Sequence, residues 1–224
     1  MSLRMSVNNY LSFGGVPSAG NTVNLNLKLT SSTSSPPIYS VSSVHIGLAE
    51  ITNVLYLSSD AGIDFFGTTV FNFTDFYRIT WTWDGTTDKI YVNGVLDITT
   101  SAITSARTQT LVARVDIFGA VDPIDFDGIK IWQATLSAEE IRNELHSIKP
   151  KRWQDLWAWL PCNNRATIGA DYSGNERSFT QNGTITESAA SSLAWGDSPV
   201  FVPQAATLAP ILIYYQSPLM LSAC

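Results

Sequence analysis

Apolar and polar residues alternate along much of this chain. Val23, Leu25, Leu27 and Leu29 alternate with Asn24, Asn26 and Lys28. Period two marks a strand with one face buried. From Tyr77, the polar Arg78, Thr80, Thr82 and Asp84 alternate with Ile79, Trp81 and Trp83. Asp84-Gly85 opens a turn, Lys89 to Val92 alternates again, and Asn93-Gly94 is a strong hairpin signal. The stretch from Tyr77 to Ile98 therefore predicts a three-stranded antiparallel meander. Further strands are predicted over Asn9–Phe13, Ile38–Val41, Val44–Leu48 and Val54–Leu57, and over Phe65–Phe73 with a break at Gly67. Thr108–Phe118 predicts a long strand with Leu111, Ala113, Val115 and Ile117 on one face. Ile124–Trp132 follows with a bulge at Gly128. Leu156–Leu160 and Phe179–Ile185 complete the set.

One helix stands out. Ser137 is an N-cap, and Glu140 three residues later completes a capping box. Leu136 and Ile141 match a hydrophobic staple across that cap. Ile141, Leu145 and Ile148 form the predicted buried stripe, and Pro150 stops the helix. His146 falls in the last turn, where a cation suits the helix dipole. Many short strands, frequent turns, one helix and no solenoid repeat predict an all-β fold, a two-sheet antiparallel jelly-roll sandwich.

Composition narrows this. Of 224 residues, 45% are hydrophobic and only 14% charged, so a large core is available under a Ser, Thr and Asn surface. The net charge is −6 with no run of Lys or Arg, which argues against nucleic acid and anionic membrane as partners. Cys162 and Cys224 are too few for a disulfide framework or a zinc site. MSLRMSVNNY has no apolar core of a secretory signal, and no apolar run approaches the ~20 residues of a membrane span. From Trp195 the character changes. Pro199, Pro203, Pro210 and Pro218 punctuate short apolar pieces. Residues 1–195 are expected to form the sandwich. Residues 196–224 are expected to form a docking tail, packed on that sandwich or on a neighbouring subunit.

The motifs resemble a known family. YRITWTWDGTTDKIYVNGVLD is similar to the W-D-G…Y-V-N-G hairpin of the laminin-G-like branch of the concanavalin A-like lectin and glucanase superfamily. IDFDGIKIWQATLSAEEI resembles its closing strand and helix, with Ile124, Asp125, Ile131, Trp132, Leu136, Ser137, Glu140 and Ile141 in register after a one-residue shift at Gly128. Leu156–Leu160 with DYSGNERSFTQNGT resembles its W-x-L…D-x-S-G-N segment, and Asn8–Phe13 its first strand. The W-x-L segment follows the helix here, where many relatives have it first. The resemblance spans most of residues 5–187. It implies a two-sheet jelly roll in a family that includes lectins, glycosidases and non-catalytic modules of secreted and viral proteins. Fold alone does not choose among these.

The glucanase branch requires paired carboxylates on one strand face. Asp122, Asp125 and Asp127 come nearest. Asp125 and Asp127 share a face if the strand is regular, but the third acid is missing and Gly128 interrupts, so no catalysis is expected. Laminin-G-like modules often hold calcium on a rim loop. Asp122 with Asp125, or Asp171 with Asn175, could contribute ligands, although turn Asp and Asn usually satisfy local backbone. Ser is abundant without a G-x-S-x-G elbow. Trp81 with Trp83, and Trp157 with Trp159, each share a strand face and read as core. Trp153, Trp195, Tyr214 and Tyr215 lie in less regular stretches and are the candidates for a glycan or protein partner. The expectation is a non-catalytic structural or adhesive module without a required cofactor. A bacteriophage virion protein fits, as a capsid decoration or tail component. It would contact other virion proteins or copies of itself through the tail, and host-surface glycans through the domain. A stand-alone extracellular carbohydrate-binding or carbohydrate-cleaving protein is the alternative.

Overall fold

The structure, a computed structural model, describes residues 2–5, 10–12, 20–30, 37–41, 44–49, 51–59, 62–103, 111–113, 123–162, 169–177 and 179–188. Asp122, Trp195, Tyr214, Tyr215 and the tail 196–224 lie outside the described residues, as does most of the strand expected around Leu111–Ala113.

The strands are β1 (Ser2–Met5), β2 (Tyr10–Ser12), β3 (Asn21–Leu29), β4 (Pro37–Val41), β5 (Val44–Leu48), β6 (Val54–Ser59), β7 (Ile63–Val70), β8 (Tyr77–Trp83), β9 (Asp88–Val92), β10 (Val95–Thr100), β11 (Leu111–Ala113), β12 (Ile124–Trp132), β13 (Leu156–Leu160), β14 (Thr180–Asn182) and β15 (Thr186–Ser188); the helix is α1 (Ala138–Glu144). They form two antiparallel sheets. The first has the order β10-β9-β8-β3-β12-β1-β15, and the second β14-β2-β11-β4-β5-β6-β7. The fold is an all-β, two-sheet antiparallel jelly-roll sandwich with one short helix. β13 also pairs with β12, over Ile129 to Trp132, while β1, through Met5 to Leu3, pairs with Ile124 to Phe126 of β12. The two strands thus share one edge of β12. β1 was not anticipated, because its four residues are too short to show alternation.

The predicted meander is β8, β9 and β10, with Asn93 in the left-handed region at φ 49°. The Asn93 side chain accepts from the Arg78 backbone N–H at 2.9 Å, which ties the turn back to the strand before it. Alternation sets the faces. Val23, Leu25, Leu27 and Leu29 of β3, and Ile79 and Trp81 of β8, meet Ile38, Tyr39, Val44, Ile46, Leu48, Leu55 and Leu57 of the other sheet in one core. Tyr39 and Trp81 touch edge to face across it, with ring centroids 5.9 Å apart. Each buried aliphatic side chain contributes about 1.5–3 kcal/mol, and a one-residue slip would turn a whole strand's set outward.

The polar face of the first sheet is buried as well. Thr22, Asn24, Asn26, Arg78, Thr80, Thr82 and Lys130 are all buried. α1 and the chain that follows it form a third layer here, with Tyr91, Trp132, Leu136, Ile141, Leu156 and Trp159 as its apolar contacts. The capping box of Ser137 and Glu140 is formed. The helix stops at Glu144, however, so Ile148 and His146 lie beyond its end. Glu144, the last helical residue, turns inward. Its carboxylate accepts from Lys130 Nζ at 2.6 Å and from the backbone N–H groups of Lys151 and Arg152 at 2.7 and 2.8 Å.

Three local expectations are corrected by irregular pairing. Gly67 does not break β7. Instead, Asp97 of β10 packs its carboxylate on Gly67, where a Cβ would overlap it. Asp97 is freed to do so by a register shift between Leu96 and Ile98. In β12 the register shifts between Phe126 and Gly128, so Asp127 is the extra residue of a bulge and does not alternate regularly with Asp125. In β13, Ala158 faces Ile131 while Leu156 faces Trp132, leaving Trp157 as an extra residue. Trp157 therefore enters the inter-sheet core and Trp159 the outer layer, rather than sharing a face.

Candidate functional site

The outer face of the second sheet carries a shallow groove of about 290 Å³, lined by His45, Ala49, Tyr56, Ser58, Asp64 and Phe66. Strand register builds it. Val44, Ile46 and Leu48 of β5 and Leu55 and Leu57 of β6 point into the core, so the intervening residues point outward. His45 stands directly opposite Ser58, and Ser58 opposite Asp64. One step along, Gly47 stands opposite Tyr56, and Tyr56 opposite Phe66. The result is one polar row beside one aromatic row.

Gly47 shapes the floor. The Tyr56 ring lies over it, and a Cβ at that position would overlap ring atoms. His45 meets Tyr56 edge to face at 5.8 Å, and Phe66 lies tilted at 6.4 Å on the other side. Phe66 is 59% exposed. Asp64 is exposed, and one of its oxygens accepts the Ser58 hydroxyl. Burial, with the charge of Asp64 adding, pushes Tyr56 up to about 12, so its hydroxyl stays a neutral donor and acceptor.

Ser58, His45 and Asp64 share a row, yet they do not make a nucleophilic triad. That arrangement needs the serine proton directed at the imidazole. Here it is directed at the carboxylate. Among the described residues Asp64 is the only carboxylate lining the groove; glycoside hydrolysis commonly uses two, about 5–10 Å apart. What the groove offers is stacking area, hydroxyl partners and one negative charge.

The residues expected from sequence fall elsewhere. Trp153 is 53% exposed and meets Trp159 edge to face at 5.9 Å, in the layer outside the first sheet. Tyr172, not anticipated, flanks Trp159 on another side at 6.0 Å. Asp125 is not on an open rim. It is fully buried, its oxygens accept from Arg4 at 2.7 and 2.8 Å, and Ser188 adds a third bond at 2.9 Å. This clasp joins β1, β12 and β15.

The Asp171 and Asn175 pair is also committed. Asp171 accepts from the backbone N–H groups of Trp159, Ser173 and Arg177, and Asn175 Nδ2 donates to the Leu156 carbonyl. Both Asp171 oxygens thus hold the turn, and Asn175 binds it through its amide nitrogen. Among the described residues no three His, Cys, Asp or Glu side chains gather as a metal-ligand set. A second hollow, of about 340 Å³, lies between the β8–β9 turn and α1. Its acids are likewise occupied. Asp84 accepts from Thr86 and Thr87 N–H, bonds that hold its carboxyl below the usual range, and Glu140 caps the helix.

Sequence reasoning missed the groove. Its signal was weak but present: Tyr56 and Ser58, and Asp64 and Phe66, are spaced by two on the faces opposite to the core residues. Their convergence depends on cross-strand register, which no single segment displays.

The fold defines a class, the two-sheet antiparallel jelly-roll sandwich. Its known likenesses are structural. A candidate carbohydrate binding protein from Bacteroides ovatus superposes with a TM-score of 0.62 at 13% identity, covering 84% of this chain and 61% of that one. The chain thus spans less than two thirds of that protein's length. The heptameric SAP-like pentraxin of Limulus polyphemus superposes with a TM-score of 0.53 at 14% identity, covering 83% and 94%. Trypanosoma rangeli sialidase matches over 57% of this chain and 23% of its own, with a TM-score of 0.48 and 9% identity, too low to carry an argument. No family model and no curated protein matches the sequence.

Proposed function

We propose that this chain is a non-catalytic glycan-binding module that serves adhesion, carried on a bacteriophage virion as a capsid decoration or tail component. One observation carries the glycan part. An exposed Phe66 ring stands beside Tyr56, His45 and a solvent-facing carboxylate, all within one groove. Sugars present apolar C–H faces and a ring of hydroxyls, so they match an aromatic row next to a polar row. A single carboxylate among the described lining residues supports binding without hydrolysis. The virion setting is supported by sequence: few charges, a neutral polar surface, and a Pro-broken apolar stretch over 196–224 suited to docking on other virion proteins or on copies of this chain.

The test is retention on immobilised glycans, comparing the full chain with Phe66→Ala. Covering a ring face of this kind is worth about 1–2 kcal/mol, so the variant should bind roughly tenfold more weakly. Its melting temperature should barely move, because Phe66 lies outside the core. Equal retention of the two proteins, or retention of neither, would overturn the proposal.

A further inference from the structure

We propose that the groove on β5, β6 and β7 selects sugars bearing a protonated amine and rejects sugars bearing a carboxylate or sulfate. This rests on the glycan-binding reading and names its ligand class. Among the described residues Asp64 is the only carboxylate lining the groove, and no Lys or Arg lines it. One carboxylate oxygen accepts from Ser58, and among the described residues the other accepts no hydrogen bond. The Asp64 side chain is exposed at the edge of an aromatic row.

A carboxylate accepts hydrogen bonds and cannot donate them. An ammonium on the bound sugar would supply the donor and the opposite charge together. The rings beside it favour a cation again, since aromatic faces carry negative quadrupole density. A sugar carboxylate or sulfate would meet a like charge, and among the described lining residues no Lys or Arg offsets it. The net charge of −6 acts in the same direction at longer range.

Ser58 and the β6–β7 register make this a built feature. The serine hydroxyl stands directly opposite Asp64 and holds its carboxylate on the outer face. Asn at the same position keeps an oxygen for that bond and removes the charge, which makes Asp64→Asn a clean probe on an exposed residue.

The experiment uses matched glycosides of glucose and galactose, in both anomers, displayed on beads near neutral pH. Each sugar is presented with an amine, a hydroxyl or a carboxylate. The full chain should hold the amine forms about tenfold more tightly than the hydroxyl forms, the size of one charge-assisted hydrogen bond at a partly exposed carboxylate. That preference should shrink as salt is raised. Asp64→Asn should bring the amine forms down to the level of the hydroxyl forms. Binding to hydroxyl and amine forms alike, or to the acid forms, would overturn this inference while leaving glycan binding intact. Binding to none of the sugars would overturn glycan binding itself.

Discussion

Lys130→Met isolates the interaction that fixes the third layer to the first sheet. Lys130 is 2% exposed and Glu144 is 1% exposed. Lys130 Nζ donates to Glu144 Oε2 at 2.6 Å, to the Ser147 carbonyl at 2.6 Å and to the Lys149 carbonyl at 3.2 Å. All three ammonium protons thus have acceptors. Methionine keeps most of the stem volume, so the cavity term is small. What remains is a buried carboxylate with Oε2 unpaired; the Ser147 carbonyl keeps Arg78 Nη1 at 3.0 Å and the Lys149 carbonyl keeps the Ser147 hydroxyl at 2.6 Å. Breaking a buried pair in this way costs about 3–5 kcal/mol. For a chain of this size that lowers the melting temperature by roughly 6–20 °C.

The assay is chemical and thermal unfolding of the wild type, Lys130→Met, Glu144→Gln and the double variant. The double variant should be more stable than the sum of the single losses implies, because no bare carboxylate is left. pH adds a sign. Burial, with the charge of Arg78 and against that of Glu144, lowers Lys130 from 10.5 to about 7. Between those values the unfolded chain binds more protons than the folded one. Raising pH through that window therefore favours the fold, and the wild type should gain on Lys130→Met. A loss below about 1 kcal/mol, as for an exposed pair, or strict additivity in the cycle, would refute the reasoning.

Two further outcomes are expected. Asp97 Oδ1 accepts from the N–H and hydroxyl of both Thr68 and Thr69, at 2.9–3.0 Å, and so closes the β7 and β10 edges of the sandwich. Asp97→Ala should cost about 1–2 kcal/mol and speed amide exchange at Thr68 and Thr69; unchanged exchange there would show that the edges close without it. Deleting residues 196–224 should leave a folded domain that still binds glycan but no longer enters its assembly. Normal incorporation of the shortened chain would remove the tail from the docking role.

Local signals carried far in this chain. Alternation in β3 and β8, the Asn93-Gly94 turn and the Ser137–Glu140 box each act over a few residues, so strands, meander and helix start were legible in order. The hidden features arise where alternation is interrupted or where faces meet. The extra residue at Trp157 sends two tryptophans into different layers, and the shift at Asp97 lets a strand residue reach the other sheet. Neither leaves a mark in composition.

Charge was the least readable property. Arg78, Lys130 and Glu144 look like solvated residues on polar faces, because a polar face on a strand normally meets water. Only the covering layer shows that they are buried and paired. The groove follows the same logic. His45, Tyr56, Ser58, Asp64 and Phe66 come from three strands, and pairing register alone sets them side by side. The chain's own pattern determined which residues would be strand and which face would be dry, since those depend on neighbours two positions away. Tertiary structure decided which polar faces are buried and which side chains share a site, since those depend on partners that lie far off in sequence.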